Sequence, residues 1–282
     1  MTPLKTTALI YDFDGTLAPG NLPEHSLFDA LGITDAGAFW SENRKLTEQR
    51  DADEVLTYME RILAAARNTD YPLTRDVLRA HGEKTPFFDG VDGWFDRINA
   101  YGRELGFHIE HYVISSGLLE LIEGCKHFDR FQKVFACAYA YDEAGRAVWA
   151  AVAVNYTNKT QFLFRINKGI MNTWDNSAIN RWQPKHERPV PFERMIFLGD
   201  GDTDIPSMKM VRYQGGQAVA VFDPNKWADK TKTGGALQHL IAEDRVHYVA
   251  PADFTEGSLL DAIVRGILGR MAQRPEGPGR HP

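Results

Sequence analysis

Two short acidic stretches carry the residue types that could do chemistry. "ALIYDFDGTLAPG" (Ala8 to Gly20) sets Asp12 and Asp14 directly after an apolar run, with Gly15 next. "MIFLGDGDTDIPSM" sets Asp200, Asp202 and Asp204 after a second run, again among glycines. On an extended chain, side chains two residues apart return to the same side, which puts Asp12 and Asp14 together. Ligands of an open α/β sheet bind at the carboxyl ends of its strands, so two acidic strand ends in one sheet converge on one point. Converging carboxylates repel and require a cation between them. Hard oxygen donors with open positions suit Mg²⁺, which keeps several waters and works with phosphate groups. An EF-hand calcium loop does not fit "DGDTDIPSMKMV". Ile205 stands where that loop needs glycine, and Val211 where it needs a bidentate glutamate.

The elements that must position these residues follow from the apolar pattern. Ala8–Tyr11, His111–Ser115, Met195–Leu198, Ala218–Phe222 and Val246–Val249 are short apolar runs without strict alternation, as buried parallel strands are. Between them, apolar residues recur at helical spacing: Trp94, Ile98, Tyr101 and Leu105, then Leu118, Leu121 and Ile122, and last Leu259, Leu260, Ile263, Ile267 and Leu268. Strands alternating with helices predict an α/β fold, a Rossmann-like open parallel sheet. Residues 18–85 hold no convincing strand and read as a helical insert placed directly after the first strand, with 1–17 and 86–270 as the core. Within the insert, "DADEVLTYMERILAAAR" opens on Asp51 and Glu54 as a capping box, followed by a stripe of Val55, Met59, Ile62, Leu63 and Ala66. "YAYDEAGRAVWAAVAV" (Tyr139 to Val154) reads as a hairpin turning at Asp142–Gly145. Met171–Glu193 reads as an irregular surface excursion, and 271–282 as a disordered tail.

Bulk properties exclude several classes. The net charge of −6 provides neither a basic nucleic-acid footprint nor a polybasic membrane patch, so neither partner is expected. Cys125 and Cys137 form no zinc spacing and read as reduced core thiols. No apolar run approaches the ~20 residues that cross a bilayer, and the opening run is too short for a signal peptide; a cytoplasmic protein is expected. There is no Walker A loop and no GxGxxG. "HIEH" (His108 to His111) lacks the HExxH spacing and is read as structural or surface.

"DFDGT" and "GDGDTD" resemble the first and last motifs of the haloacid dehalogenase-like (HAD) hydrolase superfamily. Its second motif, a Ser or Thr ending an apolar strand, is matched by "YVISSG", and its third, a Lys opening a helix, by "NYTNKTQFLF". "SSGLLELIE" is similar to the phosphoserine-phosphatase-like branch with Ser115 as the motif serine. Ser116, the rival, and Gly117 would then offer N–H groups to phosphate at a helix start. Lys159 is matched to the third motif; its rival Lys168 ends a helix beside Gly169, where the helix dipole accounts for it.

The resemblance implies a Mg²⁺-dependent phosphatase that hydrolyses a small phosphomonoester through an aspartyl-phosphate, with the helical insert 18–85, placed after the first strand, as a helical cap over the site. Asp12 would be the nucleophile and Asp14 the acid and base. The metal would be held by Asp12, Asp200 and the Asp14 carbonyl. Ser115, Ser116, Gly117 and Lys159 would bind phosphate, with Asp204 supporting Lys159 or a metal-bound water; Asp202 has only a turn role. Asn21 stands where the phosphoserine branch has a glutamate, and Glu24 lies close but out of place. The alternatives are a phosphotransferase or mutase on the same site, and a non-catalytic binding protein that retains the fold.

Overall fold

The computed structural model describes residues 3–228 and 233–273. Seven strands form one sheet: β1 (Lys5–Tyr11), β2 (Phe107–Leu118), β3 (Lys133–Tyr141), β4 (Ala147–Val152), β5 (Met195–Gly199), β6 (Gln217–Phe222) and β7 (Tyr248–Pro251). Their order is β4-β3-β2-β1-β5-β6-β7. All neighbours are parallel except β3 and β4, which pair antiparallel as the hairpin. The helices are α1 (Leu27–Ala30), α2 (Ala36–Arg50), α3 (Glu54–Asn68), α4 (Arg75–Gly82), α5 (Val91–Glu104), α6 (Leu119–Gly124), α7 (Lys159–Lys168), α8 (Asn176–Asn180), α9 (Ile205–Tyr213), α10 (Thr233–Ala242) and α11 (Leu259–Gln273). Between β1 and α5 the chain has helical elements and irregular segments and no strand.

The centre of the sheet explains its apolar runs. Ala8 to Tyr11 and Met195 to Leu198 are fully buried, as expected of strands covered on both faces. β1 pairs with β2 on one side and β5 on the other, with Tyr11 opposite both Val113 and Leu198. The order reverses at β1, so the carboxyl end of β1 is a topological switch point.

Several boundaries differ from the sequence reading. β7 runs two residues later than expected, Tyr248–Pro251. Asp244, at positive φ, and the Arg212 bond to the Val246 carbonyl hold the approach outside the ladder. The first arm of the hairpin begins at Lys133, six residues early, because its first half pairs parallel with β2. The cap of α3 is Asp53, not the Asp51–Glu54 box. Asp53 accepts from the N–H groups of Val55 and Leu56, while Asp51 sits in the left-handed region that ends α2. The stripe of α3 is buried as read. The excursion contains α8, tied to α7 by Arg165 and Lys168; Lys168 donates to the carbonyls of Ile179 and Arg181 and not to its own helix end. Met271–Gln273 continue α11, which corrects the start of the expected tail, and 274–282 lie outside the described residues. No helix among the described residues is long and apolar enough to cross a membrane.

Candidate active site

Adjacent parallel strands deliver the two acidic stretches. The Asp12 N–H bonds the Leu198 carbonyl at 2.9 Å, one step beyond the β1–β5 ladder, so Asp12 and Asp200 leave neighbouring strand ends together. The chain then turns tightly: the Phe13 carbonyl accepts from Thr16, Leu17 and Ala18. Gly15 is required there twice over. Its φ is +75°, and a Cβ on it would stand 2.3 Å from Asp200 Oδ2. Carboxylate oxygens of Asp12, Asp200 and Asp204 lie within 4.8 Å of one another.

Lys159, the first residue of α7, is fully buried among them. Its Nζ lies 3.1 Å from Asp12 Oδ2 and 2.8 Å from Asp204 Oδ1, and it reaches Thr203 Oγ1 at 3.5 Å. Burial alone would lower the lysine pKa; the Asp12 and Asp204 charges outweigh it and the net shift is upward. Burial, then the Asp12 charge, raises Asp204 well above the ordinary carboxylate range. The same two causes push Asp200 up to about 7, although that residue keeps an exposed edge on the cleft.

One lysine does not neutralise this cluster. Asp204 Oδ2 is buried and has no hydrogen-bond partner. An oxygen-only donor set with surplus negative charge and an orphaned carboxylate oxygen fits a hard divalent cation.

Asp14 stands beside the cluster and not in it. Its Oδ1 accepts from the Leu22 N–H at 3.0 Å. Its Oδ2 points toward Gly117, whose Cβ, if present, would stand 3.1 Å away. Burial of this carboxyl comes first and the Asp12 charge second in raising it well above the ordinary range; the Leu22 bond opposes them.

Ser115 Oγ is 3.2 Å from the same Gly117 Cβ position, so Asp14, Ser115 and Gly117 come together. The expected helix start is corrected. α6 begins at Leu119, because Gly117 still belongs to β2 and its N–H donates to Ser115 Oγ at 3.0 Å. The Ser116 hydroxyl is buried without a partner, while its carbonyl receives the Tyr58 hydroxyl at 2.6 Å and the Cys137 thiol at 3.2 Å.

Tyr58 and Thr203 went unread in the sequence. Tyr58 falls on the buried stripe of α3, where a hydroxyl among apolar side chains must find a partner; that was the available signal. Thr203 left none. Asn21 and Glu24 bond each other at 2.5 Å, and Trp40 Nε1 donates to the same Glu24 oxygen. Lys168, at the other end of α7 from Lys159, bonds the excursion and not the cluster. His108 is exposed and His111 buried in the sheet. Cys125 and Cys137 are both buried and free.

Over residues 9–209 the sequence matches the family of haloacid dehalogenase-like hydrolases. An uncharacterized protein of Borreliella burgdorferi is 29% identical over 280 residues, 90% of this chain and 93% of the relative. The HAD family hydrolase t0658 of Salmonella enterica serovar Typhi superposes with a TM-score of 0.58 at 15% identity, over 95% of this chain and 73% of that one. A substrate-bound phosphoserine phosphatase superposes with a TM-score of 0.55 at 14% identity, over 93% and 98%. At these identities the two structural likenesses are likenesses of fold.

Proposed function

The chain belongs to the haloacid dehalogenase-like hydrolases, and we propose that it is a Mg²⁺-dependent phosphatase that hydrolyses a small phosphomonoester through an aspartyl-phosphate on Asp12. The observation that carries this reading is the convergence of Asp12, Asp200 and Asp204 around the buried Lys159 ammonium.

Asp12 attacks phosphorus with one carboxylate oxygen, and the bond to the ester oxygen breaks. The Asp12 side chain is oriented for this: Oδ1 accepts from the Phe13 N–H at 2.7 Å, and Oδ2 faces Lys159. Asp14 gives a proton to the leaving oxygen. Burial and the Asp12 charge favour its protonated form, and with Oδ1 occupied by Leu22 the proton belongs on Oδ2, toward Ser115 and Gly117. Asp14, now ionised, takes a proton from water, whose oxygen attacks the acyl phosphate. Phosphate leaves and Asp12 is restored.

Ser115 Oγ–H and Lys159 Nζ–H donate to the phosphoryl oxygens, where negative charge spreads in the transition state. Asp204 holds Lys159 in place. Asp12 and Asp200 would hold Mg²⁺ with the Asp14 carbonyl, beside Asp204; bound there, the ion offsets the negative charge of the carboxylates and the phosphoryl oxygens.

A panel of phosphate monoesters assayed for phosphate release tests the reading. We expect turnover that stops with EDTA and returns with Mg²⁺. Asp12→Asn should lose at least about 10³-fold, since the nucleophile itself is gone. A good substrate turned over equally by Asp12→Asn sinks the covalent mechanism.

A further inference from the structure

Tyr58 lies on α3, in the segment between β1 and α5, yet its hydroxyl bonds the end of β2. It donates to the Ser116 carbonyl at 2.6 Å, and the Cys137 thiol of β3 reaches the same oxygen at 3.2 Å. Two donors thus fill both lone pairs of one peptide oxygen. The nitrogen of that peptide is Gly117 N, which donates to Ser115 Oγ at 3.0 Å. A peptide unit is planar, so what fixes its carbonyl also fixes the direction of its N–H. A hydroxyl that accepts along one fixed direction has its own proton confined to the remaining directions. Asp14 Oδ2 and Ser115 Oγ both approach the Cβ position of Gly117, at 3.1 and 3.2 Å.

The Tyr58 ring is itself held. It is buried and meets Trp40 edge to face, with centroids 5.6 Å apart. Burial, with the neighbouring Cys137, Tyr139 and Asp14 behind it, keeps the phenol protonated and therefore a donor.

We propose that Tyr58 is a positioning residue for phosphate: through the Ser116–Gly117 peptide it sets the direction in which Ser115 Oγ donates. This rests on the phosphatase reading. It gives the helical segment after β1 a part in phosphate binding as well as in covering the site, because the phosphate donor is fully oriented only while α3 lies on the end of β2.

The test uses the full chain with Mg²⁺, p-nitrophenyl phosphate as substrate and inorganic phosphate as ligand. Tyr58→Phe keeps the ring and removes only the donor. It should lower kcat/KM about tenfold and weaken phosphate binding by a similar factor, as misorientation of one contact does. Ser115→Ala should lose more. The deciding measurement is Tyr58→Phe combined with Ser115→Ala, which should lose no more than Ser115→Ala alone, since neighbours acting through one group are not additive.

A Tyr58 that only packs the core would lower activity by the same factor in both backgrounds, and that result overturns the proposal. So does an unchanged Tyr58→Phe. Cys137→Ala removes the other donor to the same carbonyl and must show the same non-additivity; it also serves if Tyr58→Phe fails to fold by its melting curve. Asp12→Asn is run alongside. If it turns over like the wild type, the phosphatase reading has failed; if it is dead and the double-variant losses multiply, only the role of Tyr58 has.

Discussion

His111 and Lys159 are both buried bases, and their partners decide opposite outcomes. Lys159 faces two carboxylates and keeps its charge. His111 faces none at contact distance. Its Nε2 lies 3.1 Å from Asn99 Oδ1, an acceptor, so Nε2 carries the hydrogen. Its Nδ1 then accepts from the Tyr11 hydroxyl at 2.9 Å, and that hydroxyl accepts from Trp94 Nε1 at 2.8 Å. Protonating Nδ1 would set two hydrogens against each other in a dry core. Burial first, then the Arg130 charge, depresses the His111 pKa to about 3. The unfolded chain binds that proton near pH 6.5, the ordinary value. Between those limits the unfolded state holds more protons, so stability rises with pH. The contribution is complete above pH 6.5 and is lost as pH falls toward 3, on the order of 5 kcal/mol across the window. Denaturant melts from pH 7 to pH 4 should show this loss in the wild type and a flatter limb in His111→Gln, whose amide can accept from Tyr11 and donate to Asn99. Parallel curves for the two proteins would show that another group sets the acid limit.

At the scale of elements, α4 and α6 cross on two glycines. A Cβ on Gly82 would stand 1.9 Å from the Leu121 carbonyl oxygen, and one on Gly124 1.9 Å from that of Arg79. Backbone, not a flexible side chain, is what each would meet. α6 directly follows the Ser115–Gly117 segment, so this crossing braces the end of β2 that carries Ser115. Gly82→Ala or Gly124→Ala should cost about 1–3 kcal/mol as overpacking does, although alanine is the better helix former. A melting temperature equal to the wild type in both variants would show that the helices separate freely.

Nothing in the sequence marked either glycine, because a close approach depends on which helix arrives opposite. The strand ends were legible for the opposite reason. Asp12 and Asp200 each end a run buried on both faces, and apolar runs that stop at acidic residues are a local pattern. β3 was half-legible: its antiparallel arm carries a turn signal, while its parallel half reads only against β2. The α3 cap was misplaced by two residues since Asp51 and Asp53 offer the same side chain, and only backbone angles separate a helix end from a helix start. Tyr58 was hidden within a stripe whose spacing is explained by packing alone.

Over the whole molecule, the segment following β1 is bound along α3 to β3 and to the loop between β4 and α7. Asp53 accepts from Asn155 Nδ2 at 2.7 Å, Glu54 from the Tyr156 hydroxyl at 2.6 Å, and the Met59 carbonyl from the Tyr139 hydroxyl at 2.9 Å. With these bonds in place the reacting groups are nearly shut off: Ser115 and Lys159 are fully buried and Asp12 is 4% exposed, while Asp200 keeps an open edge. On the proposed phosphatase reading, an arrangement this enclosed would admit a small ester and reject a phosphate carried on a folded protein, whose flanking chain has nowhere to lie, and would remove water from around the phosphoryl group. The Asn155 and Tyr156 bonds lie at the amino end of α3, away from Tyr58, and each is worth about 1 kcal/mol. Asn155 Oδ1 also accepts from the Asn158 N–H at the start of the Lys159 helix, so the Asn155–Asp53 bond is cut from the α3 side: Asp53→Ser, which still caps α3, with Tyr156→Phe should weaken closure and leave the reacting groups in place. We expect kcat/KM for a phosphoserine-bearing peptide, relative to p-nitrophenyl phosphate, to rise about fivefold or more in that double variant, as a shift of one to two kcal/mol between closed and open forms implies. An unchanged ratio would mean that the fixed walls of the cleft select by size, and that α3 does not move to admit substrate.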